Sequence, residues 1–352
     1  MKNRKPLVIG NLTARIPVIQ GGMGVGISLS SLAGSVAACG GVGVISTAQI
    51  GWREADFCKN PLEANFRAMK KEILKARQIS EGKGILGVNI MVATQHYKEY
   101  VKEAVKNGVD LIISGAGLPV DLPGLVQGSK TKIAPIISSL KSAKVLCKMW
   151  DRKYQTAPDL VVIEGPKAGG HLGFSREELE TIDELGYDEV IRSVVKLVRE
   201  YADKYKKKIP VAVAGGIFKS EDLDHALELG ADGVQLGTRF VTTKECDASM
   251  EYKQSYLDAR QEDVCIVQSP VGMPGRAIQN EFVQRVQREK LPIRRCHHCI
   301  VTCSPKEIPY CITDALVNAV EGNTKEGLLF CGANVWRCDR IETVAEIMEE
   351  FQ

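Results

Sequence analysis

No stretch of the sequence reaches the roughly 18 consecutive apolar residues that a membrane-spanning helix needs. A strong charge of either sign is also missing. The 46 Lys and Arg stand against 43 Asp and Glu, for a net charge of +3. That is too mild to argue for nucleic acid or an anionic membrane as partner. The basic run Lys206 to Lys208 closes a helical pattern, where it complements the helix C-terminus. The start, MKNRKPLVIGNLTARIP, is basic but lacks the apolar segment of a signal peptide. The expectation is therefore a cytoplasmic protein, in a reducing compartment where the eleven cysteines do not form a disulfide framework.

What is present is a regular alternation. Across 352 residues, short apolar runs recur at Ile16–Gln20, Val42–Ser46, Ile85–Met91, Leu111–Ser114, Ile133–Ile137, Leu160–Glu164, Ile209–Ala214 and Gly233–Gly237. Amphipathic helical patterns separate them, at Leu29–Cys39, Pro61–Gln78, Tyr97–Asn107, Leu140–Trp150, Asp183–Lys207 and Ser220–Leu229. Eight buried β-runs separated by helices imply an α/β fold closed as a (β/α)8 TIM barrel. An open doubly wound sheet is the competing architecture. It usually carries GxGxxG after its first strand, and here that place holds QGGMGVG.

The alternation ends near residue 244. The expected organisation is a barrel over 1–244, a C-terminal helical, cysteine-containing appendage or lid over 245–340, and a closing helix over 341–352 packed on the barrel. Helical patterns at Tyr252–Arg260 and Asn280–Glu289 lie in the appendage, and Ile341–Phe351 reads as the closing helix.

Glycines gather where a barrel keeps its chemistry, at the C-terminal ends of the strands. They are Gly21-Gly22, Gly115 and Gly117, Gly165 to Gly173, Gly215-Gly216 and Gly237. Corner-turning accounts for one such pair. Five strand ends together point to a bound phosphate, because small residues expose backbone N–H groups to an anion. The segments VAVAGGIF (211–218) and QLGTRF (235–240) suit the phosphate site that recurs after strands seven and eight. In EGPKAGGHLGF (164–174), His171 lies in a glycine loop directly after a strand. Its imidazole titrates near neutrality and is open to a ligand, which suits a proton handler. His96 and His225 lie in helical patterns and read as ordinary residues.

The segments IQGGMGVG (19–26), GVNIM (87–91), SGAG (114–117), EGPKAGGHLG (164–173), VAGGI (213–217) and QLGTRF (235–240) resemble a flavin-dependent barrel family. That family contains the nitronate monooxygenases, formerly 2-nitropropane dioxygenases, and the flavin-type enoyl-acyl-carrier-protein reductases. The match runs in order over roughly residues 5–245. The resemblance implies FMN as cofactor. Gly22, Met23 and Asn89 would lie along the isoalloxazine, Glu164 and Gly169 along the flavin and its ribityl chain, and Gly215, Gly216, Gln235, Gly237 and Thr238 around the phosphate. It also implies that His171 acts on the substrate beside the flavin. The sequence departs from many relatives at Lys167, where they carry an acidic residue. A cation there would depress the proton affinity of His171 or attract an anionic substrate, or serve only as a solvated loop lysine. It departs again at FCGANVWRCD (330–339), where Asn334 stands in place of a flavin-facing Gly-Gln pair.

The segment CHHCIVTCSPKEIPYC (296–311) spaces Cys296, Cys299, Cys303 and Cys311 as C-x2-C-x3-C-x7-C. Such spacing suits a [4Fe-4S] cluster. Zinc bound by the four cysteines, or by a mixture with His297 or His298, is the alternative. Unligated reduced thiols are the third reading.

Two reactions fit the family. One oxidises an alkyl nitronate to a carbonyl compound and nitrite through FMN and O2. The other reduces an enoyl thioester with NAD(P)H. The expectation is the monooxygenase, acting on a small molecule, as a soluble enzyme and a homodimer. A flavin-free phosphate-binding barrel of the nucleotide reductase or isomerase type is a reading from a different class, and a purely binding role for the cysteine segment is another.

Overall fold

The computed structural model describes residues 4–182 and 186–352. Eight parallel strands close a barrel in the order of the chain: Val18–Gln20, Val42–Ser46, Ile85–Met91, Leu111–Gly115, Lys132–Ile137, Val161–Glu164, Val211–Ala214 and Gly233–Leu236. The last pairs back onto the first through Gln235 and Ile19, which leaves no open edge. This is a (β/α)8 barrel, and all eight β-runs of the sequence supply its strands. Helices Ser30–Ala38, Pro61–Ser80, Tyr97–Lys106, Leu140–Tyr154, Tyr187–Tyr205 and Ser220–Glu228 form the outer layer. The start of the Asp183–Lys207 pattern lies outside the described residues.

Period-two alternation divides the strand side chains into two cores. Ile19, Val42, Val44, Ile85, Leu111, Ile113, Leu160, Val162 and Ala212 fill the barrel interior. Their neighbours, among them Val18, Ile45, Val88, Ile112, Val161, Ile163 and Val211, pack outward against the helices. A hairpin of Leu7–Ile9 and Leu12–Ala14 plugs the interior core with Leu7, Ile9 and Ala14. Continued upward, the same alternation brings Ser46, Asn89, Glu164 and Gln235 to inward positions near the tops of their strands. At the top of the barrel the interior therefore changes from apolar to polar.

Beyond the eighth strand, the chain forms helix Met250–Leu257, an antiparallel hairpin of Val264–Gln268 and Pro274–Ile278, helix Glu281–Arg288 and helix Ile312–Val320. Helix Val344–Glu350 then returns to the barrel. Its anchor is Arg239, 8% exposed, from the turn after the eighth strand. The guanidinium donates two bonds of 2.9 Å to the Glu342 carboxylate and one of 2.9 Å to the Phe218 carbonyl, and lies 2.7 Å from Glu350. Among the described residues, no helix is long and apolar enough to cross a membrane.

Removing one partner of a buried, bidentate pair leaves a desolvated charge behind. Glu342→Ala is expected to lower the free energy of unfolding by about 3 kcal/mol, measured by urea denaturation. Exposed pairs such as Lys83–Glu81 should tolerate loss of a partner with little change.

Candidate active site

Above the polar layer lies a cavity of about 250 Å3. Gly22, Met23, Asn89, Glu164, Gly169, His171, Gly215, Gly216, Gln235, Gly237 and Thr238 all line it. Eleven positions scattered over more than two hundred residues thus meet around one space. The glycines make that space. An alanine Cβ at Gly22 would sit 2.4 Å from the Cβ of Asn89, so the first strand's turn runs hard against the third strand. Gly215 and Gly216 hold φ of +93° and +90°, a region that side chains rarely adopt.

The polar side chains here have unused bonding capacity. Among the described residues, no hydrogen-bond partner is found for the side chains of Asn89 and Gln235 or for the carboxyl group of Glu164. All three are half-buried and face one cavity, so their polar atoms are open to a polar ligand there. Burial alone pushes the Glu164 carboxyl up to about 7. Below it, Tyr187 donates to the Glu164 carbonyl at 2.9 Å and to the Ser138 carbonyl at 3.0 Å, which holds the strand end.

His171 is held from the appended hairpin. Gly170 and His171 form a short strand that pairs antiparallel with Gly275 and Arg276. The Nε2 of His171 lies 2.7 Å from the Ser269 Oγ at the hairpin turn, and its ring meets Phe330 edge-on at 5.0 Å. Arg276, 3% exposed, donates to the carbonyls of Pro166, at 2.7 Å, and Ala168. Burial lowers the imidazole pKa to about 4, so the ring is neutral near pH 7. Burial, not the Lys167 cation, is the cause of that shift. Lys167 lines the same cavity.

The tail closes one side. Gly332 N–H donates to Thr238 Oγ1 at 3.0 Å, and Asn334 Nδ2 donates to the Gly216 carbonyl at 2.8 Å. Asn334 thus reaches the cavity, with its amide on the loop backbone. The upper wall is apolar, with Met91, Ile136, Val271, Ile300, Ile312 and Leu316. Ser269 and Arg276 escaped the sequence reading. Their only signal is two β-rich runs flanking the Pro/Gly-containing segment 269–273.

The cysteine segment borders this wall, since Cys299 lines the cavity and Cys296, Cys303 and Cys311 do not. All four thiols are free. Among the described residues, the donor atoms that come within 4.8 Å of one another belong to His297, Cys311 and Asp314. Only Cys311 is common to this group and the spacing-based set of four. His225 is exposed and lies 3.0 Å from Asp188, and His96 occupies the N-cap position of helix Tyr97–Lys106 without a side-chain capping bond.

A family model described as nitronate monooxygenase matches residues 5–352. A probable nitronate monooxygenase of Staphylococcus saprophyticus is 25% identical over 301 residues, covering 79% of this chain and 80% of that protein. Among solved structures, FabK from Thermotoga maritima is 25% identical with a TM-score of 0.72, over 96% of this chain and 92% of that one. A nitroalkane oxidase from Streptomyces ansochromogenes shares the fold, with a TM-score of 0.70 at 19% identity, over 96% and 94% of the two chains.

The two buried ionisable groups give opposite pH dependences. Stability is lost as pH falls from 6.5 towards about 4, because the unfolded chain protonates His171 first. It is lost as pH rises from 4.5 towards about 7, because the unfolded chain ionises Glu164 first. Between pH 4.5 and 6.5 the two slopes oppose each other, so Glu164→Gln should unmask the fall in melting temperature towards acid that His171 imposes, read from thermal melts across that range.

Proposed function

Because the chain belongs to the nitronate monooxygenase family and is an enzyme of the oxidoreductase type, we propose that its cavity holds FMN and oxidises an alkyl nitronate to a carbonyl compound and nitrite. The observation that carries this reading is the convergence of the glycine turns with Asn89, Glu164, Gln235 and His171 on one space. The site fits the cofactor. Gly170 at φ +70° would direct a side chain into open space, so the loop leaves room beside His171. Around Gly215, Gly216, Gly237 and Thr238, small residues expose backbone N–H groups to a phosphate. Asn89 and Glu164 supply hydrogen-bonding groups for a polar ring system and its ribityl chain, and Gln235 supplies its amide on the phosphate side.

When bound, FMN supplies the electron acceptor for the nitronate and the means of passing those electrons to O2. The protein supplies placement, dryness and a proton site. The apolar wall of Met91, Ile136, Val271 and Ile300 receives the alkyl part of the substrate. With Nε2 engaged by Ser269, His171 keeps Nδ1 for the substrate. The Ser269 Oγ already accepts the Val271 N–H at 3.3 Å, so its own proton is free to go to Nε2. The neutral ring then carries its hydrogen on Nδ1, as a donor to the anionic nitro oxygens. Lys167 on the same rim adds long-range attraction for that anion.

A second reading has one specific observation in its favour, the likeness to FabK over nearly the whole chain. In it, NAD(P)H reduces the same cofactor for an enoyl thioester. Anaerobic titration of the yellow protein with propyl-2-nitronate and then NADH separates the two. Bleaching of the flavin by the nitronate alone is the expected result. Bleaching by the nicotinamide alone assigns the reductase, and a colourless protein that does not take up FMN overturns both. His171→Ala should lower kcat/KM about 10²- to 10⁴-fold at unchanged FMN content. The acid limb of the wild-type kcat/KM profile should fall near pH 4 instead of 6.5.

A further inference from the structure

We propose that His297, Cys311 and Asp314 bind a zinc ion that fixes the wall of the cavity. One nitrogen, one sulfur and one carboxylate oxygen lie within 4.8 Å of one another. In a tetrahedral zinc site, with bonds of about 2.0 to 2.3 Å, such donors sit roughly 3.3 to 3.8 Å apart. His297 Nε2 and Asp314 Oδ1 are 2.6 Å apart, so admitting the ion needs an opening of less than about 1 Å. The donor set is of zinc type: imidazole, thiolate and carboxylate, with a fourth position left for water or a further sulfur.

The local sequence builds this cluster. Cys311 is the N-cap of helix Ile312–Val320 and Asp314 lies in its first turn, so both donors stand at one helix end. His297 comes to them from the segment 289–311, and its ring is buried and stacked on Phe57 at 5.6 Å. Cys299 and Thr313, the residue before Asp314, both line the cavity, which keeps another thiol near the group.

The segment itself is an independent sign of a staple. Residues 289–311 form neither helix nor strand, apart from one bridge between Ile300 and Thr94. Loops longer than about 12 to 15 residues without secondary structure are uncommon in a compact domain. Of this segment only Ile300, Ile308 and Tyr310 are buried apolar residues. With so little apolar burial of its own, the segment would gain order from a bound metal, and its thiols form no disulfide. An ion here would tie the middle of the loop to helix Ile312–Val320. Both neighbours of the tie face the cavity: Cys299 and Ile300 on the loop, Ile312, Thr313 and Leu316 on the helix. The ion would thus shape the substrate wall without touching the reacting atoms.

The test is the metal content of the protein purified without added metal, by mass spectrometry, beside a sulfide assay and the flavin absorbance. About one zinc per chain is expected. Cys311→Ser and Asp314→Asn should each lose zinc to a chelator at least tenfold more readily, at unchanged flavin absorbance. A protein with no metal overturns the proposal. So does iron with acid-labile sulfide, which would assign the cysteines to a cluster, and so does zinc retained equally by both variants. The wild-type count stands even if a variant fails to fold. It is also independent of the cavity's reaction, since zinc without nitronate oxidation, or the reverse, separates the two readings.

Discussion

The pairing of Gly170 and His171 with Gly275 and Arg276 is the constraint on which the site depends. A glycine-rich loop has the greatest backbone entropy to lose. Left on its own, the segment after Glu164 would sample many conformations and its histidine would have no fixed place. Strand addition to the appended hairpin removes that freedom, and Arg276 holds the start of the loop through two backbone carbonyls. Ser269 then fixes one ring nitrogen, and Phe330 packs on the ring. The appendage is therefore part of the site, because the barrel alone supplies the loop but not its conformation.

The glycines that cost backbone order also create the electrostatics. They leave a cavity deep enough to desolvate an imidazole and a carboxyl with no charged partner for either, and burial disfavours the charged form of each. His171 is pushed towards neutrality from one side and Glu164 from the other. A ligand that hydrogen-bonds Glu164, Asn89 and Gln235 would relieve much of this cost. The polar layer is thus a source of binding energy held in reserve by the fold.

Closure over the neighbouring loops, after strands seven and eight, follows the same logic. Arg239 belongs to the turn after the eighth strand, and its bonds to Phe218, Glu342 and Glu350 join the loops after strands seven and eight to the chain's last helix. The segment 332–334 adds bonds to Thr238 and Gly216. Two distant parts of the chain therefore clamp the glycine turns from both sides. Their small residues can then stay open to a ligand without collapsing onto one another.

Much of this was legible in the sequence because it is local. Strand and helix positions follow from apolar periods of two and 3.6, and those patterns place the eight strands within a residue or two of the observed ones. Glycine turns after strand ends, read with the barrel rule, locate the cavity, and the motifs from IQGGMGVG to QLGTRF carry the family. Tertiary structure decided what depends on contacts between distant residues. Ser269 meets His171 across 98 positions and Arg239 meets Glu342 across 103, and no local pattern encodes such a meeting. The cysteine segment shows the same limit. Spacing groups four thiols by their distance along the chain, whereas the fold brings Cys311 to His297 and Asp314, because Asp314 shares its helix start and His297 returns along an irregular loop.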